Sequence, residues 1–171
     1  MRRVPVVKGQ AIPAYDPRAV KGQGVTYATT PMGADHTAGY AVATNILNVG
    51  GKLDPLVAEG QVDLSRNLQI ATAFVDSTGL CLFVAFAILD IPAGLEGIVE
   101  MCNARYGWNK SVEDYLEMGK QVLRDERHFN KQAGIAEGSD DVPDFFRTEK
   151  LPPHEVVFDV PKEELSKVFD F

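Results

Sequence analysis

The strongest local signal in the sequence is a long amphipathic helix in its second half. Ser111 is followed three residues later by Asp114, an arrangement close to the capping box that begins many helices. Apolar residues then recur at three- and four-residue steps until Gly134, a residue that commonly ends helices. The pattern predicts a helix from Ser111 to about Gln132. Strand signals are scarce in the rest of the chain, so the predicted fold class is mainly α.

Four further helices are predicted between residues 35 and 106. Their predicted ranges are 35–48, 63–76, 79–89 and 92–106. The third contains an apolar run from Leu80 to Leu89, and a helix that is apolar on all sides is expected to be central and buried. The run is ten residues long, whereas a membrane span needs about twenty. No membrane segment is therefore predicted.

The two ends of the chain differ from this helical body. Residues 1–34 are rich in Pro and Gly, which predicts an extended or looped segment. Residues 137–171 form an acidic tail, which we expect to wrap over the body of residues 35–136 and to end in a short helix at 162–169. Residues 1–24 are basic. The two ends of the chain therefore either complement each other in charge, or each faces a partner that is absent from this sequence. We predict a single domain with about five helices.

Composition excludes several classes of protein. A net charge of −7 argues against a surface that binds nucleic acid, since such a surface must be basic. Two cysteines, Cys81 and Cys102, cannot form a disulfide framework, and free thiols fit a reducing compartment. No apolar stretch follows the basic N-terminus, so no secretory signal is predicted. We expect a cytoplasmic protein that binds neither nucleic acid nor membrane.

The segment Asp76-Ser77-Thr78-Gly79-Leu80-Cys81 is the first candidate for chemistry. It joins two predicted helices, and its thiol falls at the start of the second. Unpaired N–H groups and the helix dipole favour a thiolate there, which could bind a metal or an iron–sulfur cluster. The alternative is structural, with Asp76 or Ser77 capping a helix and Cys81 acting as a small buried hydrophobe. Cys102 has no neighbouring Cys, which favours a structural role.

The second candidate is His36, which follows Asp35 after a glycine-rich loop. A His at a helix start could act as a general acid or base near neutral pH. Equally, Asp35 could cap the helix and His36 could be a polar residue without a catalytic role. His128 and His154 are predicted to lie on the surface. The segment at residues 21–24 contains Lys and Gly but departs from the phosphate-loop pattern.

Taken together, these segments resemble the tungsten-dependent aldehyde:ferredoxin oxidoreductases. The matching blocks, in chain order, are 12–18, 24–30, 32–40, 76–81, 126–130 and 140–143. Their order and spacing match from about Val7 to Pro153. The first block and the Asp-x-x-Gly-Leu-Cys block are the most specific.

The resemblance implies roles for individual positions. Cys81 matches the cysteine that supplies the fourth ligand of the family's [4Fe–4S] cluster. Asp76 matches the acid that hydrogen-bonds the pterin of the bis-pterin tungsten cofactor, and the peptide around Leu80 and Leu82 would lie beside that pterin. His36 matches a histidine near the tungsten that donates or accepts a proton during aldehyde oxidation.

The resemblance also implies components that this sequence lacks. Family members are several times longer and carry a β-rich N-terminal domain with a Cys-x-x-Cys-x-x-x-Cys motif that supplies the other cluster ligands. We therefore expect this chain to correspond to the C-terminal part of such an enzyme and, alone, to be inactive and free of both cofactors. Expected partners are the complementary N-terminal polypeptide, ferredoxin and a small aldehyde. Self-association is expected through apolar surface left exposed near His36 and Asp76.

Two alternatives remain open at this point. The chain could be a stand-alone helical module for binding or assembly that has kept the fold without the chemistry. It could also belong to a branch of the family with another substrate, such as an aromatic acyl thioester reductase, because most of the substrate pocket would lie outside this sequence.

Overall fold

The structure is a computed structural model and describes residues 3–135 and 138–171. Strands β1 (Val6–Val7) and β2 (Gln10–Ala11) form a small antiparallel pair, with Val6 opposite Ala11. The helices are α1 (Lys21–Thr29), α2 (Val42–Asn45), α3 (Gln61–Ser77), α4 (Leu82–Asp90), α5 (Pro92–Tyr106), α6 (Val112–Gln132), α7 (Asp144–Thr148) and α8 (Lys162–Leu165). A 3₁₀ turn at Ser166–Phe169 follows α8. The predicted mainly α class is confirmed.

Helices α3, α5 and α6 form where the sequence predicts them. At the start of α6, the Asp114 N–H donates to Ser111 Oγ at 3.3 Å and the Ser111 N–H donates to Asp114 Oδ2 at 2.8 Å, which completes the capping box. Helix α5 begins at Pro92 and ends at Gly107, whose φ of 68° suits glycine. These boundaries depend on residues adjacent in sequence, which explains why the pattern predicts them.

Helix α1 corrects the prediction of an extended or looped segment over residues 1–34. All nine of its residues are buried. Gly24 lies against the ring of Phe158, where an added Cβ would come within 2.6 Å of Cε2, so glycine is required by packing. Conversely, the first predicted helix, 35–48, is helical only at α2. Tertiary packing overrides the low helix propensity of the glycines in α1.

Helix α4 corrects the prediction of a central, buried helix. It packs against α5 and α3. Within it, Phe83 is 82% exposed and Val84 is 44% exposed. An apolar helix indicates burial against some partner, and the described residues of this chain cover only part of α4. None of the described helices is both long and apolar enough to cross a lipid bilayer.

Among the described residues, the two largest apolar clusters hold the helices and the tail together, and a smaller third one contains Val7, Tyr27 and Ala34. The helical core joins α3, α5 and α6 through Phe74, Val75, Ile98, Val99 and Tyr115. The tail core joins α1 to the tail through Val25, Ala28, Val142, Phe146, Phe158, Val160, Leu165 and Val168. The tail was expected only to wrap over the helical body, but it also supplies most of the side chains of this second cluster.

The basic and acidic ends of the chain are paired, which is one of the two outcomes that their opposite charges allow. Among residues 3–135 and 138–171, ion pairs that join them are Arg3–Glu149, Lys8–Asp140 and Lys21–Asp159. The Lys8 ammonium also donates to the carbonyls of Ala28 and Thr30. Burial lowers the pKa of Lys8, and the nearby Asp140 carboxylate partly offsets this effect. These ion pairs therefore hold both ends of the chain against α1.

The closest approach between α3 and α6 occurs at Gly119. An added Cβ there would overlap the carbonyl oxygen of Ile70 and lie 3.2 Å from the amide nitrogen of Phe74. Both of these atoms belong to the backbone of α3, so no side-chain movement could relieve the overlap. Glycine at this position lets the two longest helices pack directly against each other.

We predict that Gly119→Ala lowers the free energy of unfolding by about 1–3 kcal/mol, because the helices must separate to admit the methyl group. The matched control is Gly97→Ala in α5, whose added Cβ would meet no atom within 4 Å. That variant should gain about 0.5–1 kcal/mol from reduced backbone entropy. Urea unfolding of both variants measures the difference, and equal stabilities would contradict the assigned contact.

Candidate functional site

His36 lies on the loop between α1 and α2, which is ordered by its own side chains. The Asp35 carboxylate accepts hydrogen bonds from the Thr37 N–H at 2.9 Å and from the Thr37 hydroxyl at 2.8 Å. Asp35 therefore stabilises a turn and does not cap a long helix. The main chain of His36 is held in this turn, while its side chain remains half-buried.

The His36 ring belongs to a group of four rings, which we call the aromatic cluster: Tyr15, His36, Tyr40 and Phe86. The His36 ring lies 6.2 Å from Tyr15 and 6.0 Å from Tyr40 between centroids. The hydroxyls of Tyr15 and Tyr40 share a hydrogen bond of 2.5 Å. Phe86 of α4 packs edge-on against Tyr40 at 5.7 Å. The cluster limits the positions that the imidazole can occupy.

Both phenols of this cluster lie within the blocks that carry the family resemblance, but neither was selected from the sequence. Burial, and secondarily the hydrogen bond with Tyr15, raise the pKa of Tyr40 to about 12. The Tyr40 hydroxyl is therefore neutral over the physiological range. It can donate or accept a hydrogen bond without changing its charge.

Asp76 lies near the end of α3 with an exposed side chain. Partial desolvation by neighbouring atoms, together with the negative charge of Asp35, raises its pKa. The pKa of Glu126 on α6 is also raised, by burial and by the charge of Asp76. Three carboxylates from the His36 loop, α3 and α6 are thus close enough to influence one another. Glu126 was not predicted as a site residue.

Cys81 occupies the N-cap position of α4, where the sequence places its thiol, and its side chain is exposed. The alternative of a small buried hydrophobe is therefore wrong. No side chain in the described part of the chain caps α4 by a hydrogen bond, and the hydroxyls of Ser77 and Thr78 donate to the carbonyls of Ala73 and Val75 within α3. Gly79, with a φ of 80°, then turns the chain away from α3.

Leu80 and Leu82 flank the thiol and contact different parts of the molecule. Leu80 is half-buried against the helical core. Leu82 lines a small apolar cavity together with Tyr40 and Phe86. The Leu82 side chain therefore links the Cys81 segment physically to the aromatic cluster around His36.

The remaining candidates take the structural roles predicted for them. Cys102 is half-buried beside the helical core. His128 and His154 are exposed. Lys21 begins α1 and is 2% exposed, with its ammonium bonded to the carbonyl of Leu56 and paired with Asp159, so it belongs to no phosphate loop.

The arrangement joins a titratable imidazole, an acid and an exposed thiol along one region of the molecule. Within residues 3–135 and 138–171, no group of three or more His, Cys, Asp or Glu side chains could hold a metal ion.

Comparison with known proteins identifies relatives for nearly the whole sequence. Residues 2–170 match the family described as "Aldehyde ferredoxin oxidoreductase, domains 2 & 3". The chain is 37% identical over 148 residues to the tungsten-containing aldehyde ferredoxin oxidoreductase of Pyrococcus furiosus. It is 36% identical to the protein of the same name from Thermococcus kodakarensis. Each match covers 85% of this chain but 24% of the relative, so the chain spans about a quarter of the relatives' length.

We predict that Tyr15→Phe lowers the pKa of Tyr40 from about 12, while keeping it above the ordinary 10.0 because burial is the larger cause of the shift. Folding favours the neutral phenol, so the free energy of unfolding falls as the pH rises from 10 to about 12, and this fall should be smaller in the variant. NMR titration of the Tyr40 ring measures the shift. The hydrogen bond between the two hydroxyls would be refuted if Tyr15→Phe left the titration of Tyr40 unchanged, or if the control Tyr106→Phe changed it equally.

Proposed function

Because the chain belongs to the aldehyde ferredoxin oxidoreductase family, we propose that it supplies His36, Asp76 and Cys81 to a tungsten enzyme that oxidises aldehydes to carboxylic acids. The chain spans about a quarter of its relatives' length, so this activity is proposed for the assembled enzyme. The observation that carries the proposal is the exposed thiol of Cys81 at the N-cap of α4, next to Leu82, which lines a cavity with Tyr40 and Phe86 of the aromatic cluster.

The chemistry of Cys81 fits an iron–sulfur cluster. Thiolates hold [4Fe–4S] clusters, and the N-terminus of a helix favours the charged form of the sulfur. The thiol is accessible from outside, so it can complete a ligand set whose other cysteines come from a complementary N-terminal polypeptide. In the assembled enzyme, the tungstopterin would supply the two-electron oxidation and the cluster would supply the path to ferredoxin.

Asp76, Leu80 and Leu82 fit one edge of a pterin. The Asp76 carboxyl is exposed and would hydrogen-bond the polar edge of the ring system. Its raised pKa keeps more of the neutral carboxyl, which can both donate and accept a hydrogen bond, than an ordinary aspartate has. Leu80 and Leu82 lie on either side of Cys81 and would provide apolar contact beside the ring.

His36 fits the transfer of a proton during aldehyde oxidation. An imidazole can take up or release a proton near neutral pH, and the aromatic cluster restricts its position. Conversion of an aldehyde and water to an acid releases protons, which His36 would accept beside the substrate. Tyr40 would remain neutral throughout, and the rings of Tyr15 and Tyr40 would orient the imidazole.

The open side of α4 fits the surface that the complementary polypeptide would cover. Phe83, Val84 and Ile91 are exposed on α4 or at its end, and Met101 of α5 is 60% exposed. A continuous apolar surface of this kind is typical of an interface. In the absence of the complementary polypeptide, the same surface would favour self-association of the chain.

The thiol at Cys81 fits a reducing compartment, which supports a cytoplasmic location.

The test of the cluster ligand uses the enzyme assembled by co-expressing this chain with the complementary N-terminal polypeptide of a relative. Cys81→Ser should remove most of the bound iron and the broad iron–sulfur absorption, because a hydroxyl is a poor ligand for this cluster. The matched control is Cys102→Ser, which should retain both. Full iron content in the Cys81→Ser enzyme would exclude this cysteine as a ligand. Failure of the wild-type pair to bind iron or tungsten would favour a stand-alone helical binding module instead.

The test of the proton-transfer role uses the same assembled enzyme. His36→Gln should lower kcat by about 10²–10⁴-fold, the usual effect of losing a general acid or base. Its iron and tungsten contents should match those of the wild type, since His36 is not proposed as a ligand. His128→Gln changes an exposed histidine on α6 and should leave kcat unaltered. Activity of the His36→Gln enzyme within the wild-type range would rule out the proposed role.

A further inference from the structure

A row of hydroxyl and amide groups is buried between α1 and α3 and reaches the His36 loop. Thr26, Ser65 and Gln69 are each no more than 1% exposed. The Thr26 hydroxyl lies 2.9 Å from the carbonyl oxygen of Gly39 and 2.8 Å from the Ser65 hydroxyl. The Gln69 side-chain amide lies 3.1 Å from the Ser65 oxygen. The row thus runs from α3 through α1 to the loop that carries His36.

The direction of these hydrogen bonds follows from counting protons. A hydroxyl has one proton to donate, and a backbone carbonyl can only accept. Thr26 is 2.9 Å from the Gly39 oxygen and 3.2 Å from the Gly22 oxygen, so its proton is directed to Gly39. Thr26 must then accept the proton of Ser65, and Ser65 must accept from the Gln69 amide.

The side-chain amide of Gln69 is the first donor of the row. Its nitrogen donates to Ser65 and also to the Thr29 hydroxyl at 2.9 Å. Its oxygen has no hydrogen-bond partner among residues 3–135 and 138–171. The hydrogen bonds from Gln69 through Ser65 and Thr26 therefore run from α3 towards the loop, with the Gly39 carbonyl as their final acceptor, while the bond to Thr29 stays between α3 and α1.

Gln23 anchors the other end of the same loop. It is fully buried on α1, one turn before Thr26, and residues three apart lie on the same side of a helix. Its side-chain nitrogen donates to the carbonyl of His36 at 3.2 Å. At Gly39 an added Cβ would lie 2.8 Å from Cγ of Gln69, so the loop is also pressed against α3. The loop is therefore fastened at His36 and at Gly39.

We propose that Gln23 and Thr26 are positioning residues that hold the His36 imidazole between Tyr15 and Tyr40. Neither residue touches the imidazole, and each acts through a backbone carbonyl of the loop. Loss of the Gln23 amide removes the donor to the His36 carbonyl, while loss of the Thr26 hydroxyl leaves the Gly39 carbonyl with the Ala41 N–H and deprives the buried Ser65 hydroxyl of its acceptor, and each change favours a displaced loop. The catalytic meaning of this placement rests on the proposed role of His36, but the placement itself does not.

The test removes one donor at a time from the 171-residue chain. Thr26→Val removes the hydroxyl and keeps the branched shape, whereas Thr26→Ser restores a hydroxyl at the same position. The matched control is Thr44→Val, which removes another buried hydroxyl, one that donates to the Val49 carbonyl at 3.0 Å outside the loop. The readout is the set of NMR cross-relaxation contacts between the His36 ring and the rings of Tyr15 and Tyr40. The chain has three histidines, so His36→Gln assigns the signals.

The expected result is loss of these ring contacts in Thr26→Val and their retention in Thr26→Ser and Thr44→Val. Gln23→Met keeps a side chain of similar length without a donor and should also lose them, so it tests the same placement if Thr26→Val does not fold. Wild-type contacts in Gln23→Met or in folded Thr26→Val, or equal loss in Thr44→Val, would overturn the proposal. These contacts report on placement whether or not the chain takes part in aldehyde oxidation.

The assembled enzyme supplies a second and separate readout. Thr26→Val should lower kcat by about tenfold to a hundredfold with KM unchanged, because a misplaced catalytic group acts in the transition state. Thr44→Val should keep the wild-type kcat. If the ring contacts are lost but kcat is unchanged, the positioning role in catalysis is overturned. If the wild-type enzyme oxidises no aldehyde, the proposed function fails, while the ring contacts still decide the placement.

Discussion

The burial of α1 is the constraint on which the rest of the structure depends. This helix is enclosed on all sides although it carries Lys21, Gln23 and Thr26. A buried polar group without a hydrogen-bond partner costs about 1–3 kcal/mol, and an unpaired buried charge costs more. Each of these side chains must therefore find its partner in a neighbouring segment. The partners are the Leu56 carbonyl and Asp159, the His36 loop, and Ser65 on α3. Burial of one short helix thus helps to determine the position of four other parts of the chain.

The same helix connects the acidic tail to the candidate site. Val25 and Ala28 of α1 belong to the tail core, while Gln23 and Thr26 face the loop that carries His36. The tail does not approach the imidazole through any of these contacts. It stabilises the position of α1, and α1 in turn holds the loop. This arrangement gives the tail a structural link to the chemistry, although its own sequence carries no candidate catalytic residue.

The two sides of the molecule differ in how completely they are packed. Helices α1, α3 and α6 are in close contact, with Gly119 bringing α3 and α6 together. Helix α4 leaves an apolar face open beside Cys81. A site that is rigid on one side and open on the other is suited to completion by another polypeptide. The closely packed side positions the His36 imidazole and the Asp76 carboxyl. The open side leaves the Cys81 thiol accessible.

The sequence by itself determined α3, α5 and α6, because capping residues, Pro and Gly act on neighbours along the chain. Short local motifs also made His36, Asp76 and Cys81 the candidate site residues, and their roles stay predictions. Tertiary structure alone decided that α1 is a buried helix and that α4 is partly exposed, since both outcomes depend on segments distant in sequence. It also decided the aromatic cluster, in which Tyr15 and Tyr40 are 25 residues apart. Local sequence patterns indicate which segments form helices. Whether a helix is buried, and which side chains it contacts, depends on the segments that the complete fold brings next to it.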